Sequence, residues 1–410
     1  MVIDIWLVKL AWRNLWRNKL RTSIMIGAMV FGLMGVASMM GFMTALLDNM
    51  ITNAIAWQTS HLQIHNTQHI QNPDIQATIV DAENIEEALD ENPAVQAWSG
   101  RLLADGMIAS ARSTRGVRIN GIDIVSEAKL TPIASHIVDG EWLPEEGRHP
   151  VLVSVKTAER LKLRVGSKVV LTFTDGNGEV TGAAFRVKGL FKTPSTSFDD
   201  GNVYVRKVDL ATLSGIKGIH EIAIKLSDDE QLSSVRKQLS ATMSVKNTVR
   251  DWQQIQPMLA SVMASFGVSN FIMLMIFVVA MGFGIVNIML MSVFERTREF
   301  GVLMAVGMAK SKIFILIMFE SVLLGIAGVA LGVCASLLLM LILQTTGLPL
   351  GGLAEGLGAF GVDTVLYPTL SAQDYQLMVV TVVITSLFAA IYPARQILKQ
   401  RPVDAMAEKH

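Results

Sequence analysis

Residues 295–307 read ERTREFGVLMAVG. Two acids and two arginines crowd into a short turn, followed by an apolar half-turn pattern. The stretch lies between two long apolar runs. Residues 252–294 carry no charged side chain, and residues 313–343 carry one, Glu320. Each run exceeds the roughly 20 residues that a helix needs to cross a hydrocarbon core. ERTREFG is therefore a charged gap at a membrane surface, and the side on which it lies fixes the topology of the chain.

Working outward, residues 24–47 and 375–394 are two further apolar runs. The composition agrees with a membrane protein: of 410 residues, 51% are hydrophobic and only 17% charged. Four transmembrane helices are expected, at 24–47, 265–294, 313–343 and 375–394. Lysine and arginine set their orientation. The N-terminal segment holds Lys9, Arg13, Arg17, Lys19 and Arg21; the gap holds Arg296, Arg298, Lys310 and Lys312; the tail holds Arg395, Lys399, Arg401 and Lys409. The loop 344–374 holds none. Segments 1–23, 295–312 and 395–410 are accordingly expected in the cytoplasm, and 48–264 and 344–374 outside it. The expected fold is four transmembrane α-helices with a large α+β extracytoplasmic domain between helices 1 and 2. Ala54 and Ala56 form an A-x-A pattern, but the first apolar run is long and lies behind a helical segment, which favours an uncleaved anchor over a signal peptide. The one cysteine, Cys334, falls in the third helix, so the outer domain has no disulfide. Basic and acidic residues balance at 35 each, and no nucleic-acid signature occurs.

WLVKLAWRNLWRNKLRT reads as one amphipathic helix, with Lys9, Arg13, Asn14, Arg17, Asn18 and Arg21 on one half and Trp12, Leu15 and Trp16 on the other. That pairing of tryptophan and arginine suits a headgroup interface. In the outer domain, HLQI alternates like a strand. DAENIEEALDENPAV reads as a short helix closed by Pro93. KVVLTFT and VTGAAFRVKGLF read as strands around an Asp175-Gly176-Asn177-Gly178 turn. EIAIKLSDDEQLSSVRKQLSATM reads as strand, loop and helix. A β-rich insertion is expected between about Pro150 and Val203. Asp251 and Gln254 supply a capping start for a helix that takes Pro257 in its early turns and runs unbroken to Phe294, about 64 Å at 1.5 Å per residue. Its outer half and the extension of helix 1 beyond Leu47 would be two stalks.

Few residues suggest chemistry. His61, His65 and His69 would make a metal-binding face on a helix. On a strand, His61 and His65 lie about 13 Å apart, and the alternating pattern predicts a solvated strand face. No P-loop is present. Glu320 is an intramembrane acid, read either as an ion-pair partner for a basic residue of the N-terminal helix or as a proton or substrate group. Gly328 with Gly332, and Ala28 with Gly32, suit close helix packing. The 23 methionines are either membrane filler or a pliant lining for acyl chains. At the gap, Phe300, Val302, Leu303 and Val306 give an apolar face that a partner's groove could take, with the charges steering the encounter.

ERTREFGVLMAVGMAKSKIFILIMFESVLLG resembles the signature of the MacB/FtsX superfamily of ABC transporter permeases. The tail YPARQILKQRPVDAM is similar to that family's ending, and AWRNLWRNKLRTSIMIGAMVFG to its opening. The resemblance implies that residues 295–312 form a coupling helix docking on an ABC ATPase dimer, with Glu295, Arg296, Arg298, Glu299, Gly301, Val302 and Leu303 as coupling residues. It implies ATP and Mg on that partner, no cofactor on this chain, and action by mechanotransmission rather than through a central channel. A second permease chain, the same or homologous, is implied too. HLQIHN, FRVKGLF and the size of the outer domain look most like LolC and LolE, which extract lipoproteins from the bacterial inner membrane. The substrate would then be a lipoprotein or other lipidated molecule, with a periplasmic carrier or adaptor as a further partner. One departure stands out: LolC has a long hook loop that recruits the carrier, whereas this chain turns tightly at DGNG. Efflux of periplasmic substrates and FtsX-like control of a periplasmic hydrolase remain alternatives.

Overall fold

The computed structural model describes residues 5–399. The end of the tail, including Arg401 and Lys409, lies outside the described residues. The chain divides into two compact units. One joins the residues up to 46 with 264–349 and those from 365 onward; the other comprises 47–263 with 350–364.

The first unit is helical. Its helices are α1 (Ile5–Leu15), α2 (Lys19–Asn53), α3 (Pro257–Glu295), α4 (Thr297–Ala305), α5 (Lys310–Thr346) and α6 (Ala372–Lys399). Four segments are long and apolar enough to cross a membrane: Thr22–Thr59, Pro257–Glu295, Lys310–Thr346 and Ala372–Gln396. Small residues bring these helices close. A Cβ added to Gly328 would lie 2.5 Å from the Met29 sulfur, and one on Gly332 2.5 Å from a Leu33 methyl. The GxxxG face of α5 thus seats α2. Gly32 opens the opposite approach, toward the Phe277 ring of α3. Nearer the start of α5, Ser321 Oγ donates to the Ser386 carbonyl at 2.8 Å, a polar tie to α6 of the kind that replaces hydrophobic driving force inside a bilayer.

Two expected helices are broken. The amphipathic segment is not one helix through Arg21, because Trp16, Arg17 and Asn18 form a turn between α1 and α2. The Arg17 N–H donates to the Asn14 carbonyl, and the Thr22 hydroxyl donates to that of Leu15, so side-chain and turn bonds take carbonyls at the end of α1. The capping box at Asp251 and Gln254 is present, but it caps only Trp252–Ile255. Gln256 leaves the helical region (φ −118°, ψ 71°), as expected for a residue before proline, and Pro257 opens α3. The 39 residues of α3 span about 58 Å at 1.5 Å per residue, well beyond a core of roughly 30 Å.

The second unit holds ten paired strands: β1 (Leu62–Asn66), β2 (Val95–Ala109), β3 (Thr114–Ile122), β4 (Ile137–Gly140), β5 (Pro150–Ser154), β6 (Lys168–Thr174), β7 (Val180–Phe191), β8 (Asn202–Arg206), β9 (Glu221–Leu226) and β10 (Asn247–Asp251). The fifteen-residue β2 serves two layers. Its first half pairs with β9, which continues through β1 to β10. This antiparallel sheet buries Ile64, Ile222 and Ile224 with Ile85 and Leu89 of the helix Ala82–Asp90 and Val235 and Leu239 of the helix Leu232–Thr242. The second half of β2 pairs with both β3 and β6. From β3 the pairing runs through β8, β5 and β7 back to β6. Six strands thus close into a barrel around Ile108, Ile119, Val153, Leu171, Phe185 and Val205, and closure leaves no free edges. The β-rich part is therefore not an insertion confined to 150–203, because β2 and β3 supply two of its staves. The hairpin turn forms as read: the Asp175 carboxylate accepts from the N–H groups of Asn177 and Glu179 at 2.9 Å, and Gly178 takes φ +83°.

Where β2 passes from sheet to barrel, Arg101 is buried between two acids. Its guanidinium meets Glu127 and Glu221 at 2.7 Å each. The histidines nearby correct an expectation. His61, Gln63 and His65 are all buried, not solvated, because other side chains cover their face of the sheet, Asp229 at His61 and His69 at His65 among them. His61 Nδ1 accepts from the Leu226 N–H and its Nε2 meets Asp229 at 2.7 Å. His65 and His69 stack, and His69 stacks in turn on His220.

His220 is fixed in one tautomer. Nε2 donates to the Ile75 carbonyl at 2.8 Å, which leaves Nδ1 to accept from the Leu103 N–H at 3.1 Å. Burial disfavours its charged form and lowers its pKa to about 4. The unfolded chain, with an ordinary value of about 6.5, binds more protons in this window. Stability from this group is complete above about pH 6.5 and lost as pH falls through 4, on the order of 3 kcal/mol. Hydrogen exchange of β2 and β9 amides in the full chain should show protection falling over that range, with the pH dependence reduced in His220→Gln. Unchanged pH dependence in that variant would show that His220 does not carry the effect.

Candidate functional site

The ERTREFG segment sits where α3 ends and α4 begins. Glu295 is the last residue of α3, and Arg296 breaks the helix with φ −108° and ψ 11°. That break turns α4 away from the α3 axis and sends the Arg296 side chain inward. The guanidinium reaches Glu320 on α5 with Nη1 at 2.9 and 3.0 Å from the two carboxylate oxygens. Its Nε donates to Glu299 at 3.0 Å, an i,i+3 contact within the first turn of α4, where the helix dipole also favours an acid. Its Cζ lies 5.0 Å from the Phe300 ring centroid, within cation–π range.

The N-terminal helix completes the network. Asn14 Nδ2 donates to Glu320 at 2.8 Å. Arg17 Nη2 lies 2.8 Å from Glu299. The bonds run Asn14–Glu320–Arg296–Glu299–Arg17 and join α1, the α1–α2 turn, the α3–α4 junction and α5. Beneath them a cavity of about 30 Å³, lined by Asn14, Thr22, Ser292, Arg296 and Glu320 among others, has room for one water. Burial opposes the charge of Arg296, but Glu320 and Glu299 outweigh it and hold its pKa above the usual guanidinium value. Partial burial likewise works against the Glu299 carboxylate, yet hydrogen bonds from Arg17 and Arg296 hold its pKa below the ordinary value.

The predicted residues therefore divide into two sets. Arg296 and Glu320 are buried, with Phe300 beneath them only 1% exposed, and Gly301 is buried beside it. Glu295, Arg298, Glu299 and Val302 are exposed, and Leu303 is half-buried. The apolar face offered outward is Val302 and Val306, not Phe300. Arg296 and Phe300 share a helix face at i,i+4, so the pull of Glu320 on the arginine takes the phenylalanine inside with it. The expected partner of Glu320 was a basic residue of the N-terminal helix. Instead it pairs with Arg296, and α1 contributes the neutral Asn14. Asn14 and Arg17 were not singled out from the sequence as network members, although their i,i+3 spacing on the polar half of the N-terminal segment is visible.

Two family models match the chain. The MacB-like periplasmic core domain covers residues 22–242, more than half of the chain, and the FtsX-like permease C-terminal domain covers 271–402. Among curated proteins none matches. Among solved structures, the extracellular domain of the noncanonic ABC-type transporter YknZ from Gram-positive bacteria aligns over 46% of this chain and 99% of its own, at 15% identity and TM-score 0.34. The periplasmic region of MacB from Actinobacillus actinomycetemcomitans aligns over 52% of this chain and 97% of its own, at 14% identity and TM-score 0.35. The assignment rests on the family models: this chain belongs to the MacB/FtsX superfamily of ABC transporter permeases. It is a multi-pass membrane protein with a large α+β domain between its first and second spanning helices. Permeases of this type work with ABC ATPase partners, and hydrolysis typically resides in that separate subunit.

The network orders the cost of its parts. Glu320→Ala leaves the buried Arg296 without its main counter-charge and should destabilise the chain by about 3–5 kcal/mol. Arg17→Ala breaks an exposed pair and should cost under about 1 kcal/mol. Thermal unfolding of the two variants in the same detergent checks the ranking; equal losses would contradict it.

Proposed function

We propose that this chain is the permease subunit of an ABC transporter that works by mechanotransmission, with ERTREFG on the cytoplasmic side as its ATPase-coupling segment. The observation that carries this reading is the division of that segment. One side, through Arg296, is tied to α5 and α1. The other side presents Glu295, Arg298, Glu299, Val302 and Val306 outward. A partner gripping the outer side would pull on several helices at once. ATP and Mg belong to that ATPase dimer, and both ends of the chain would be cytoplasmic, in a bacterial inner membrane, beside a second permease chain.

For substrate we favour lipoproteins or other lipidated molecules taken from the outer leaflet. An apolar cavity of about 330 Å³ opens between α2 and α3 in the cytoplasmic half of the expected spans, so it bears on acyl-chain binding and not on the leaflet; it is lined by Met25, Met29, Gly32, Phe277, Met281 and Ile285 among others. Flexible methionines suit acyl chains of varied shape. The β6–β7 connection has only five residues, 175–179, so we assign no carrier docking to it, and any periplasmic carrier or adaptor would use another surface.

The test is the purified complex with its cognate ATPase in nanodiscs. Glu299→Arg should weaken capture of the ATPase by tens to thousands of fold, since a misplaced charge at an interface costs about 2–5 kcal/mol. Val302→Ser with Val306→Ser should uncouple by loss of the outward apolar anchor. Wild-type capture and wild-type activity in both would reject the coupling role. ATP-dependent release of a triacylated lipoprotein from the membrane should accompany coupling. Coupled ATPase activity without such release would favour export or hydrolase control instead.

A further inference from the structure

The network uses only one side of the N-terminal segment. Along α1 and the turn that follows it, Ala11 and Leu15 are buried, and Asn14 and Arg17 face Glu320 and Glu299. The remaining arc holds Trp12, Trp16, Lys9 and Arg13, all exposed. The two indoles pack edge to face with centroids 6.0 Å apart, so they form one exposed aromatic plate rather than two scattered side chains. Lys9 and Arg13 are a helical turn apart beside this plate. Neither makes an ion pair among the described residues. No acid occurs anywhere in residues 5–47, so α1 and the apolar helix that follows it offer these cations no counter-charge of their own.

We propose that this arc of α1 and its following turn is a binding site for the headgroup of an anionic glycerophospholipid, with Lys9 and Arg13 on the phosphate-bearing headgroup and the Trp12–Trp16 pair at the level of the glycerol backbone and upper acyl chain. The occupant follows from the chemistry present. Two cations a turn apart call for an anion. Two exposed indoles beside them call for a molecule with an apolar continuation, which inorganic phosphate and soluble nucleotides lack. The segment also leads, after one turn, into a helix apolar enough to span the bilayer, which sets this arc at headgroup depth. The site is independent of the proposed coupling role and would stand without it.

The full chain, without any ATPase, would be placed in nanodiscs of equimolar phosphatidylglycerol and phosphatidylcholine. Lipids retained on the extracted protein are then counted by native mass spectrometry. The wild-type chain should retain phosphatidylglycerol preferentially. Each basic residue at a membrane surface contributes roughly fivefold, so Lys9→Gln with Arg13→Gln should lower the preference by about 25-fold, and Arg13→Gln alone by about fivefold. Trp12→Ala with Trp16→Ala should lower retention of both lipids. Lys217→Gln with Lys237→Gln, the same charge loss on the inserted domain, should change nothing. A single elution peak and an unchanged helical circular-dichroism spectrum establish that each variant folds; if the double variant fails, the single Arg13→Gln variant decides. An equal preference in wild type and variants, or an equal loss in the Lys217/Lys237 control, would overturn the site. Displacement of the lipid by excess inorganic phosphate would overturn the lipid assignment.

Discussion

The contact of Arg296 Nη1 with both carboxylate oxygens of Glu320 governs the architecture around the charged gap. A guanidinium and a carboxylate removed from water each lose several kcal/mol of solvation, and only close geometry with further hydrogen bonds restores it. Here those further bonds come from Asn14 and Glu299. The arginine cannot turn outward without stranding Glu320, so the break between α3 and α4 is held in place. The direction of α4, the burial of Phe300 and the outward display of Val302 and Val306 all follow from that one constraint.

Much of the fold was legible because membranes impose simple rules. Long uncharged runs marked the spanning helices, and Gly328 with Gly332 marked a contact face, since nothing else at those positions lets Met29 and Leu33 approach so closely. Local signals for the DGNG hairpin and the Asp251 capping box were sound as well. The failures were of other kinds. The capping box was real, but Pro257 acts on the residue before it, which a one-dimensional helix reading underweighted. HLQIH alternates as a half-solvated strand would, yet β1 is paired on both sides and covered, so its polar residues are buried and bonded. Alternation reports which residues share a face, not whether that face meets water.

The candidate site divides in the same way. Charge density singled out Glu295, Arg296, Arg298 and Glu299, and intramembrane cost singled out Glu320. That Arg296 and Glu320 belong together was not readable, because 24 residues and a change of helix direction separate them. Asn14 and Arg17 were hidden by a sufficient alternative explanation, the general need for positive charge near a first spanning helix. In the inserted domain, β2 shows a comparable limit: its fifteen residues look like one strand, and only the pairing shows that it serves a sheet and a closed barrel, with Arg101 between Glu127 and Glu221 at the passage.

If the Arg296–Glu320 contact is the tether through which a partner's force enters the helices, its charges can be removed without removing the fold. Arg296→Met combined with Glu320→Met replaces the pair by apolar groups of similar length, a change that leaves buried sites stable or nearly so. The deciding measurement is substrate-stimulated ATPase activity of the reconstituted complex carrying this double variant, beside its thermal stability and its capture of the ATPase. The tether predicts a folded chain that still captures the ATPase through the exposed residues of α4 but has lost stimulation. Wild-type stimulation in a folded double variant would contradict it.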